Sequence, residues 1–591
     1  MLKKIVRTVL PDGSKQRIMA GRVKQFVLHG RASSIKQYQQ WIKSIEPTTV
    51  SPVATSQTIK ISVVVPCFNT PELYISELLQ SLINQTYRNW QLCIADGSTD
   101  QTCSKRIAEL CQQDARITYL STGKNLGIAG NTNEALKQVT GDYIAFLDHD
   151  DVLADNALNE VAVAIKHQPK AGIIYSDEDR LSENGKKRRS PLFKPDWSLD
   201  FFLSANYITH LFVIKANLLK QLGGLRSEYE GSQDYDLVLR ALDHNPQIVH
   251  IPKILYHMRE ARTSTAYSIK AKNYVHDSGS QALTDYLARN HIKAQVLKIA
   301  HRPTNHRIHY DISGQPLVSI IIPFKDKAVL LKNCVASILD KTTYQNYEII
   351  LVSNNSVQKR TFDYLKSLKN NPRIKQYIYD KPFNYSAVNN YGRRQAKGKV
   401  LVFLNNDTKV ITPQWLEELA SVALQKRVGA VGPLLLYPDK TIQHAGVVIG
   451  LTGMAGHVFR DLKLGMLTPL WLPDWPRNYI AVTGACLAIE ASKFDEVKGL
   501  NEEFIVCGSD VALGIDLYQA DYQNVYWPFA QLIHYESKSV GSYKNIPPSD
   551  YDQSLIKYRP YLGGKDPYFN ENLNLMSEIP MLRTARDERQ V

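Results

Sequence analysis

The sequence predicts an α/β protein made of two copies of one large unit. Short apolar, β-branched runs alternate with amphipathic stretches of helix length, a pattern typical of a parallel sheet covered by helices on both faces. The same succession of runs occurs twice along the 591 residues. This length is too great for a single small fold, so two large units with short extensions account for it.

In the first unit, strands and helices are predicted to alternate at short intervals. Ligands of such sheets bind beyond the carboxyl ends of the strands, so polar residues that follow a strand are candidate site residues. These residues are Pro66 to Asn69, Asp96, and Asp148 to Asp151. The predicted elements, in order, are the strand ISVVVP at 61–66, the helix LYISELLQSLINQ at 73–85, the strand WQLCIAD at 90–96, the helix CSKRIAELCQQ at 103–113 and the strand GDYIAFLD at 141–148.

The second unit repeats these landmarks at a constant offset. VSIIIPF at 318–324 matches the first strand and places Pro323 opposite Pro66, a difference of 323 − 66 = 257. GKVLVFL at 398–404 matches GDYIAFL at the same offset, and Asn390 matches Asn133. Three landmarks in one register over about 85 residues indicate an internal duplication.

The remaining segments flank or join the two units. We predict a basic N-terminal extension over 1–54, the first unit over 55–300, the second unit over 314–545 and a C-terminal tail over 546–591. Residues 1–31 hold eight Lys or Arg against one acid, Asp12. Two interpretations fit this segment: a helix lying on an anionic membrane surface, or a helix packed on its own protein with a solvated basic face.

Composition restricts the class of protein. Lys and Arg exceed Asp and Glu by 71 − 57 = 14, which favours an anionic partner. The N-terminus lacks the apolar core of a signal peptide, and no window reaches the length of a membrane span. The seven cysteines are scattered without a CxxC pair, which favours a reducing compartment. Basic residues form no stripe with interleaved aromatics, so nucleic acid is not the expected partner.

The sharpest motif is FLDHDD at 146–151, where an apolar strand ends in three carboxylates. Packed carboxylates repel and raise one another's pKa unless a positive charge lies among them. A divalent cation with a preference for oxygen ligands, Mg²⁺ or Mn²⁺, is the natural partner. An isolated motif of this kind is often a solvated acidic turn. The metal-site interpretation therefore depends on the position of FLDHDD at a strand end.

The order of motifs then resembles a known family. It runs PCFN, IADGSTD, NLGIAGNTNEAL, GDYIAFLDHDD, SQDYDLVLR and LYHMR. This order is similar to that of the family 2 glycosyltransferases, inverting enzymes of the GT-A fold, over roughly 60–260 and again 317–540. The resemblance implies an α/β protein with two GT-A (nucleotide-diphospho-sugar transferase, Rossmann-like) domains in tandem.

The resemblance also implies roles for residues of the first unit. Asp96 would contact the nucleobase and ribose of a sugar nucleotide, and Pro66 and Asn69 would shape the same end of the pocket. Asp148 and Asp150 would hold the metal, Mn²⁺ or Mg²⁺, and the diphosphate.

Two further residues of the first unit match later motifs of the family. His257 in LYHMR resembles the family's late metal-binding histidine, although a lone histidine is more often structural. Asp234 in SQDYDLVLR matches the general base that deprotonates the acceptor hydroxyl; a helix cap fits the same position. Attack from the face opposite the leaving group would invert the anomeric centre without an enzyme nucleophile.

The second unit departs from this pattern at two positions. Ser353 stands where the offset predicts the equivalent of Asp96, and Asn405 replaces the first aspartate of the acidic motif. The segment NNDT nevertheless resembles a variant found in rhamnosyltransferase-like members, as do QHAGVVIG, AVTGACLAI and HYES. On that resemblance the nucleotide-sugar residues are Pro323 and Asn405, the metal ligands are Asn405, Asp407 and His534, and the base is Asp510.

Other motifs have open interpretations. SDEDR at 176–180 is either a set of acceptor-side acids or a surface acidic turn, and KKRR at 186–189 is either a solvated loop or a contact for lipid phosphates. Trp197, Tyr207, Trp471 and Trp475 fit either sugar stacking or core packing.

The expected function is a bifunctional inverting glycosyltransferase at the cytoplasmic face of the cell membrane. Its donors would be nucleotide-diphospho-sugars, with dTDP-rhamnose for at least one unit. Its acceptor would be a lipid-linked saccharide in surface polysaccharide synthesis, and its peripheral attachment to the anionic membrane would use residues 1–31. The alternative keeps one catalytic unit and makes the second a noncatalytic acceptor-binding module.

Overall fold

The structure, a computed structural model, describes residues 35–46, 58–261, 269–299, 302, 305–536 and 546–584. Residues 1–31, predicted to contact a membrane, lie outside the described residues. Within the described part, no helix has the length and apolar character needed to cross a bilayer.

An N-terminal helix precedes the first unit, whose sheet begins at Ile61 and ends at Arg259. The elements, in chain order, are α1 Ile35–Ile45, β1 Ile61–Cys67, α2 Glu72–Ile83, β2 Trp90–Asp96, α3 Gln101–Cys111, β3 Ile117–Ser121, α4 Gly127–Leu136, β4 Tyr143–Phe146, β5 Val152–Leu153, α5 Ala157–His167, β6 Ala171–Leu181, β7 Arg188–Leu192, α6 Leu199–Ser204, β8 Phe212–Lys215, α7 Ala216–Leu222, α8 Gln233–Leu242 and β9 Gln247–Arg259.

A helix and a two-stranded sheet connect the units, and a further helix follows the second unit. The elements are α9 Ile269–Arg289, β10 Ala294–Lys298, β11 His306–Tyr310, β12 Val318–Phe324, α10 Ala328–Lys341, β13 Tyr347–Asn354, α11 Lys359–Ser367, β14 Ile374–Tyr379, α12 Tyr385–Gln395, β15 Val400–Leu404, β16 Thr408–Val410, α13 Trp415–Ala423, β17 Val428–Leu436, β18 Ile442–His444, β19 Val447–Ile449, β20 Ala455–His457, β21 Arg477–Tyr479, β22 Cys486–Glu490, α14 Ala491–Glu496, α15 Ser509–Gln519, β23 Gln523–His534 and α16 Pro548–Tyr558.

The two large sheets have the same strand order. The first runs β3-β2-β1-β4-β8-β6-β9-β5, and the second runs β14-β13-β12-β15-β22-β17-β23-β16. The constant offset is also present in the register, because Phe146 pairs with Val64 and Phe403 pairs with Ile321. The predicted duplication is therefore present in the fold.

The sheets are mixed rather than parallel throughout. β1 to β4 pair in parallel, as the apolar runs predict, but β8 runs antiparallel to β4 and to β6. Strand β1 is buried along almost its whole length because helices cover both of its faces, which explains its continuous apolar sequence. Helix α3 begins after Asp100, whose carboxylate accepts hydrogen bonds from the first-turn amides of Thr102 and Cys103.

The two units share a buried interface. Asp200 of α6 accepts hydrogen bonds from both terminal nitrogens of Arg427, each at 2.7 Å, and from Asn478 Nδ2 at 2.7 Å. Phe201 packs against Trp475 with ring centroids 5.4 Å apart, and the Arg477 guanidinium lies over the same ring. One hydrophobic core continues from the first unit into the second. The units are therefore held in one relative orientation.

The segment predicted as a C-terminal tail packs against both units. Asn570 Nδ2 donates to Asp177 Oδ2 of the first unit at 2.8 Å and to the carbonyl oxygen of Lys194 at 2.9 Å. Asp550 of α16 accepts hydrogen bonds from the backbone amides of residues 505–507 in the second unit. Helix α1 contacts the first unit through Tyr38, whose hydroxyl donates to Asp179 at 2.6 Å.

Candidate active sites of the two units

In the first unit, the ends of β1 and β2 carry the residues predicted to bind the nucleotide. Pro66 lies on β1 beside Ala95, and Cys67 pairs with Asp96. Asp96 is buried; its Oδ2 accepts hydrogen bonds from Ser104 Oγ at 2.7 Å and from Tyr119 OH at 2.9 Å.

Asn69 follows β1 in the left-handed region, with φ of 46°. Its Oδ1 accepts from the amides of Thr99 and Asp100 at 3.0 and 3.2 Å. Pro66, Asn69 and Asp96 thus meet at one edge of the sheet.

The acidic turn after β4 is held by residues of β9. Tyr256 OH accepts from the amide of Asp148 at 3.2 Å and donates to Asp151 Oδ2 at 2.6 Å. The Arg259 amide donates to Asp151 Oδ1, and its Nε donates to the carbonyl oxygen of Asp150, both at 2.6 Å. The backbone of this turn is therefore fixed before any ligand arrives.

The carboxylates of this turn interact with one another. Asp148 lies in a cleft, where desolvation and the charges of Asp150 and Asp234 raise its pKa to about 7, although half of its side chain is open to solvent. Burial and the charges of Asp150 and Asp148 raise the pKa of Asp151 well above its usual range. A cation bound here would relieve this repulsion. The donor set, carboxylate oxygens with a nearby imidazole, therefore fits Mg²⁺ or Mn²⁺.

The imidazole beside this turn belongs to His210. Ligand atoms of Asp148, Asp151 and His210 lie within 4.8 Å of one another, the one such group of His, Cys, Asp or Glu in the described part of the chain. His210 Nε2 is 4.0 Å from Asp148 Oδ2, and its ring stacks on Tyr256 with centroids 4.4 Å apart. Burial lowers the pKa of His210 to about 4, so its ring is neutral at pH 7.

His257, the predicted metal ligand, does not join this group. Its Nδ1 is 2.7 Å from Asp179 Oδ1, in a buried contact. It also lines a cavity of about 400 Å³ with Glu77, Asn84 and Arg188. Neighbouring residues of a strand point to opposite faces, so His257 lies across the sheet from Tyr256 and the acidic turn. Sequence reasoning missed His210, because nothing in THLF distinguishes it from a core histidine.

Asp234, the predicted base, lies in the first turn of α8. Its Oδ2 accepts a hydrogen bond from Asn206 Nδ2 at 2.8 Å, and burial raises its pKa. Its charge contributes to the raised pKa of Asp148, so the two carboxylates lie within electrostatic range. The candidate base and the candidate metal ligands are therefore in one site.

In the second unit, the nucleotide end has the same backbone with different side chains. Pro323 pairs with Val352, and Ser353 pairs with Phe324, the register position that Asp96 holds in the first unit. Asp326, which the offset matches to Asn69, also has a positive φ, and its Oδ1 accepts from the amides of Val357 and Gln358. The offset was the signal that could have identified Asp326 from the sequence.

The predicted metal ligands of the second unit lie partly together. His534 Nε2 is 3.3 Å from Asp407 Oδ1, and both side chains are buried. The backbone amide of Asn405 donates to the carbonyl oxygen of Ala485 at 2.9 Å. An imidazole next to a carboxylate fits a divalent cation, and it fits a plain ion pair equally well.

Two further histidines lie near His534. The Nδ1 atoms of His444 and His457 are 2.9 Å apart, and burial with the nearby charges of His457 and His534 lowers the pKa of His444 well below its usual value. The motif QHAG contains His444, but its spacing gave no reason to pair it with His457.

Asp510, the predicted second base, lies in the first turn of α15. Its Oδ2 accepts from the Gly484 amide at 2.7 Å, and burial raises its pKa. Tyr385 OH donates to the Gly484 carbonyl at 2.8 Å, so an aromatic hydroxyl lies beside the base. Both units therefore present a partly buried carboxylate of raised pKa at a helix N-terminus near the same sheet edge.

The loops that lead to these carboxylates are held by equivalent asparagines. Asn133 Nδ2 donates to the Leu225 carbonyl at 2.8 Å, and the Leu225 amide donates back to Asn133 Oδ1 at 2.9 Å. Asn390 makes the same pair of bonds with Leu500, at 2.8 and 3.1 Å. The sequence offset identified the two asparagines but not this contact.

The SDEDR motif is neither a surface turn nor an open acidic site. Asp177, Glu178 and Asp179 are buried on β6, each next to a basic side chain: His250, Lys194 and Arg188 respectively. The surface-turn interpretation was wrong because these counter-charges come from distant parts of the chain.

Several residues of the neighbouring basic and aromatic motifs make contacts within the protein. In KKRR, Arg188 pairs with Asp179 and Glu46, and Arg189 pairs with Glu260. The two named tryptophans of the second unit, Trp471 and Trp475, pack around Phe201 at the interface between the units.

Comparisons with known proteins agree with this arrangement. The model of the family described as "Glycosyl transferase family 2" matches residues 62–223 and 319–447. The chain is 40% identical over 92% of its length to the "O-antigen biosynthesis protein RfbC" of Myxococcus xanthus, and covers 43% of that protein. It is also 40% identical over 89% of its length to the "Uncharacterized protein y4gI" of Sinorhizobium fredii, and covers 59% of it.

Among solved structures, a similar one is "Crystal structure of GalNAc-T7 with UDP, GalNAc and Mn2+". It is 18% identical, with a TM-score of 0.33, and the match covers 41% of this chain and 47% of that one.

Proposed function

This chain belongs to glycosyltransferase family 2, its two units are GT-A domains, and on that premise we propose that both units catalyse inverting glycosyl transfer. The donors are nucleotide-diphospho-sugars, with dTDP-rhamnose proposed for at least one unit. The acceptor is a lipid-linked saccharide of a surface polysaccharide, a proposal supported by the similarity to the O-antigen biosynthesis protein of Myxococcus xanthus. Because the chain spans about half the length of these relatives, the activity proposed is that of the region present here.

One observation supports this proposal most strongly: each unit has a partly buried carboxylate of raised pKa in the first turn of a helix. A general base works best when its pKa is raised toward the working pH, and burial raises the pKa of both Asp234 and Asp510. In each unit the carboxylate lies close to the C-terminal edge of the sheet, where ligands of such folds bind.

In the first unit, we assign donor binding to the edge formed by β1 and β2. Asp96 is held in place by Ser104 and Tyr119, so its carboxylate is oriented before the nucleotide arrives. Asn69 fixes the loop after β2 by accepting two backbone amides, and Pro66 shapes the floor beside it. The diphosphate would lie toward Asp148, the exposed carboxylate of the acidic turn.

A divalent cation, Mn²⁺ or Mg²⁺, bound by Asp148 and Asp150 would neutralise negative charge that develops on the leaving diphosphate. Asp234 accepts the proton of the acceptor hydroxyl as that oxygen attacks the anomeric carbon. Asn206 holds Asp234 through a hydrogen bond of 2.8 Å to its Oδ2.

In the second unit, Asp510 takes the role of Asp234, and Pro323 and Asn405 line the donor end. Asp407, Asn405 and His534 form the proposed cation site, with His534 and Asp407 already 3.3 Å apart. Asparagine ligates through its carbonyl oxygen, which carries no charge, so we expect weaker cation binding than in the first unit.

A second candidate function is supported by the substitutions in the same unit. Ser353 in the place of Asp96 and Asn405 in the place of Asp148 remove two carboxylates from the donor end. On this alternative, the second unit binds the acceptor without catalysis, and the chain transfers one sugar only.

Separate Asp234→Asn and Asp510→Asn variants test the proposal. Removing a general base typically costs a factor of about 10² to 10⁴, so each variant should lose one of two transfer steps with a defined acceptor and a panel of sugar nucleotides. Product size after each reaction reports which step is lost.

Asp243→Asn and Asp516→Asn are matched controls, because each removes a partly exposed carboxylate near the same helix. Normal product from Asp510→Asn would exclude a catalytic second unit and favour the acceptor-binding alternative. Normal product from both base variants would contradict the whole assignment.

A further inference from the structure

The two units place a histidine at the acidic turn from different strands. The turn itself is equivalent in both, because β4 and β15 keep the 257-residue offset in their pairing. Asp151 of the first unit therefore matches Thr408 of the second. The strand that follows each turn then pairs with the strand carrying the late histidine, β9 or β23.

The register of that pairing differs by one residue. In the second unit His534 pairs with Thr408 itself. In the first unit His257 pairs with Val152, one position after the equivalent of Thr408. Paired residues share a face and successive residues alternate, so a slip of one residue moves a side chain to the opposite face.

The contacts of both histidines agree with this slip. His534 lies beside Asp407 of its turn, whereas His257 contacts Asp179, whose other oxygen binds Arg188 and Tyr38. Tyr256 lies on the face of the sheet that His534 occupies in the second unit, and its hydroxyl donates a hydrogen bond to Asp151. His257 thus holds helix α1 against the sheet rather than facing the acidic turn.

His210 reaches the turn from the segment just before β8 instead. Phe212 of β8 pairs with Phe146, and Leu487 of β22 pairs with the equivalent Phe403. Counting back two residues matches His210 to Ala485, which has no ligand atom in its side chain. His534 therefore reaches its turn from β23, whereas His210 reaches its turn from the segment before β8.

We propose that His210, and not His257, is the imidazole that joins Asp148 in binding the divalent cation of the first unit. The proposal rests on the proposed function, since it assigns a ligand in the same site. Its geometric basis is the group of ligand atoms within 4.8 Å of one another, with the ring of His210 held flat against Tyr256. Asp151 keeps hydrogen bonds from Tyr256 and Arg259 that orient its carboxylate toward this group.

Pulsed electron paramagnetic resonance of the full chain with Mn²⁺ alone tests this, because a bound imidazole nitrogen gives a resolved hyperfine coupling. The variant His534→Ala provides the background, since it removes the imidazole that contacts Asp407 in the second unit. We expect the nitrogen coupling in this background to disappear on adding His210→Gln and to persist on adding His257→Gln. We also expect His210→Gln to weaken Mn²⁺ binding to the first unit by about tenfold or more.

Loss of the coupling with His257→Gln and its persistence with His210→Gln would overturn the proposal. Persistence in both variants, or absence of the coupling from the His534→Ala background, would overturn it as well. If His257→Gln fails to fold after losing its bond to Asp179, His210→Gln alone still decides. Product formation by the wild-type chain, measured separately, shows whether the glycosyl transfer itself fails.

Discussion

We expect Asp200→Ala to weaken the interface between the units, so that the first thermal unfolding transition occurs at a lower temperature. The carboxylate is 2% exposed and accepts three short hydrogen bonds across the interface, two from Arg427 and one from Asn478. Removing one partner of a buried ion pair costs about 3–5 kcal/mol, because the remaining charge is left uncompensated. Arg427 is about a quarter exposed and regains water, so we expect the lower end, about 3 kcal/mol.

Differential scanning calorimetry measures this effect. For a unit of about 200 residues, 1 kcal/mol corresponds to about 2–4 °C, so the first transition should fall by about 6–12 °C. Asp277→Ala is the control, because it breaks an ion pair whose two side chains are both more than half exposed, and such pairs contribute at most about 1 kcal/mol. If Asp200→Ala melts within about 1 °C of the wild type, the interface does not hold the units together as described.

Two further predictions concern the loops held by asparagine and the pairing of His250 with buried acids. Asn133→Ala and Asn390→Ala each remove two hydrogen bonds to a backbone segment, so each should lower stability by about 1–3 kcal/mol. Each should also lower kcat of its own unit by up to about a hundredfold with little change in KM, because the base is displaced. The control is Glu134→Ala, which removes an ion pair with Lys137 next to Asn133. It should change the free energy of unfolding, and the activation free energy that kcat reports, by no more than about 0.5 kcal/mol. Equal effects of Asn133→Ala and Glu134→Ala would refute the positioning role of Asn133. Burial alone would lower the pKa of His250, but Asp177 and Asp196 raise it to about 9. A raised histidine pKa stabilises the fold fully below its unfolded pKa of about 6.5, and this contribution is lost as pH rises through about 9. The wild type should therefore lose roughly 2–3 kcal/mol more than His250→Gln between pH 6 and pH 10 in urea unfolding, and parallel pH profiles would contradict the charge assignment.

The repeated architecture could be predicted from the sequence because strands and helices leave local patterns, and these patterns recur at a constant offset. Apolar runs and their spacing predict β1, β2 and β4, and the 257-residue offset predicts the matching strand order of the second sheet. Pro66, Asn69 and Asp96 were found because they follow strands, and the ends of parallel strands meet at one edge. The mixed direction of the sheet was missed because antiparallel β8 has the same apolar sequence pattern as a parallel strand.

The assignments that depend on distant partners were less accessible. The register slip that turns His257 away from the acidic turn changes no letter of the LYHMR motif, because pairing between strands is set by the whole sheet. The sequence left Asp177, Glu178 and Asp179 open between acceptor-side acids and a surface turn, because it does not show that His250, Lys194 and Arg188 lie beside them. A run of acids shows its own charge in the sequence but not the counter-charges that the fold brings to it.

The contact between Asp177 and Asn570 constrains the order in which the two units fold. These residues are 393 positions apart, and both are buried. During synthesis, the acidic strand of the first unit must wait for nearly the whole second unit before this hydrogen bond can form. Contacts of such long separation form late, and surfaces awaiting them stay exposed to association with other chains. The first unit should therefore complete its core only after the second has emerged, with Asp177 still lacking one of its partners until then.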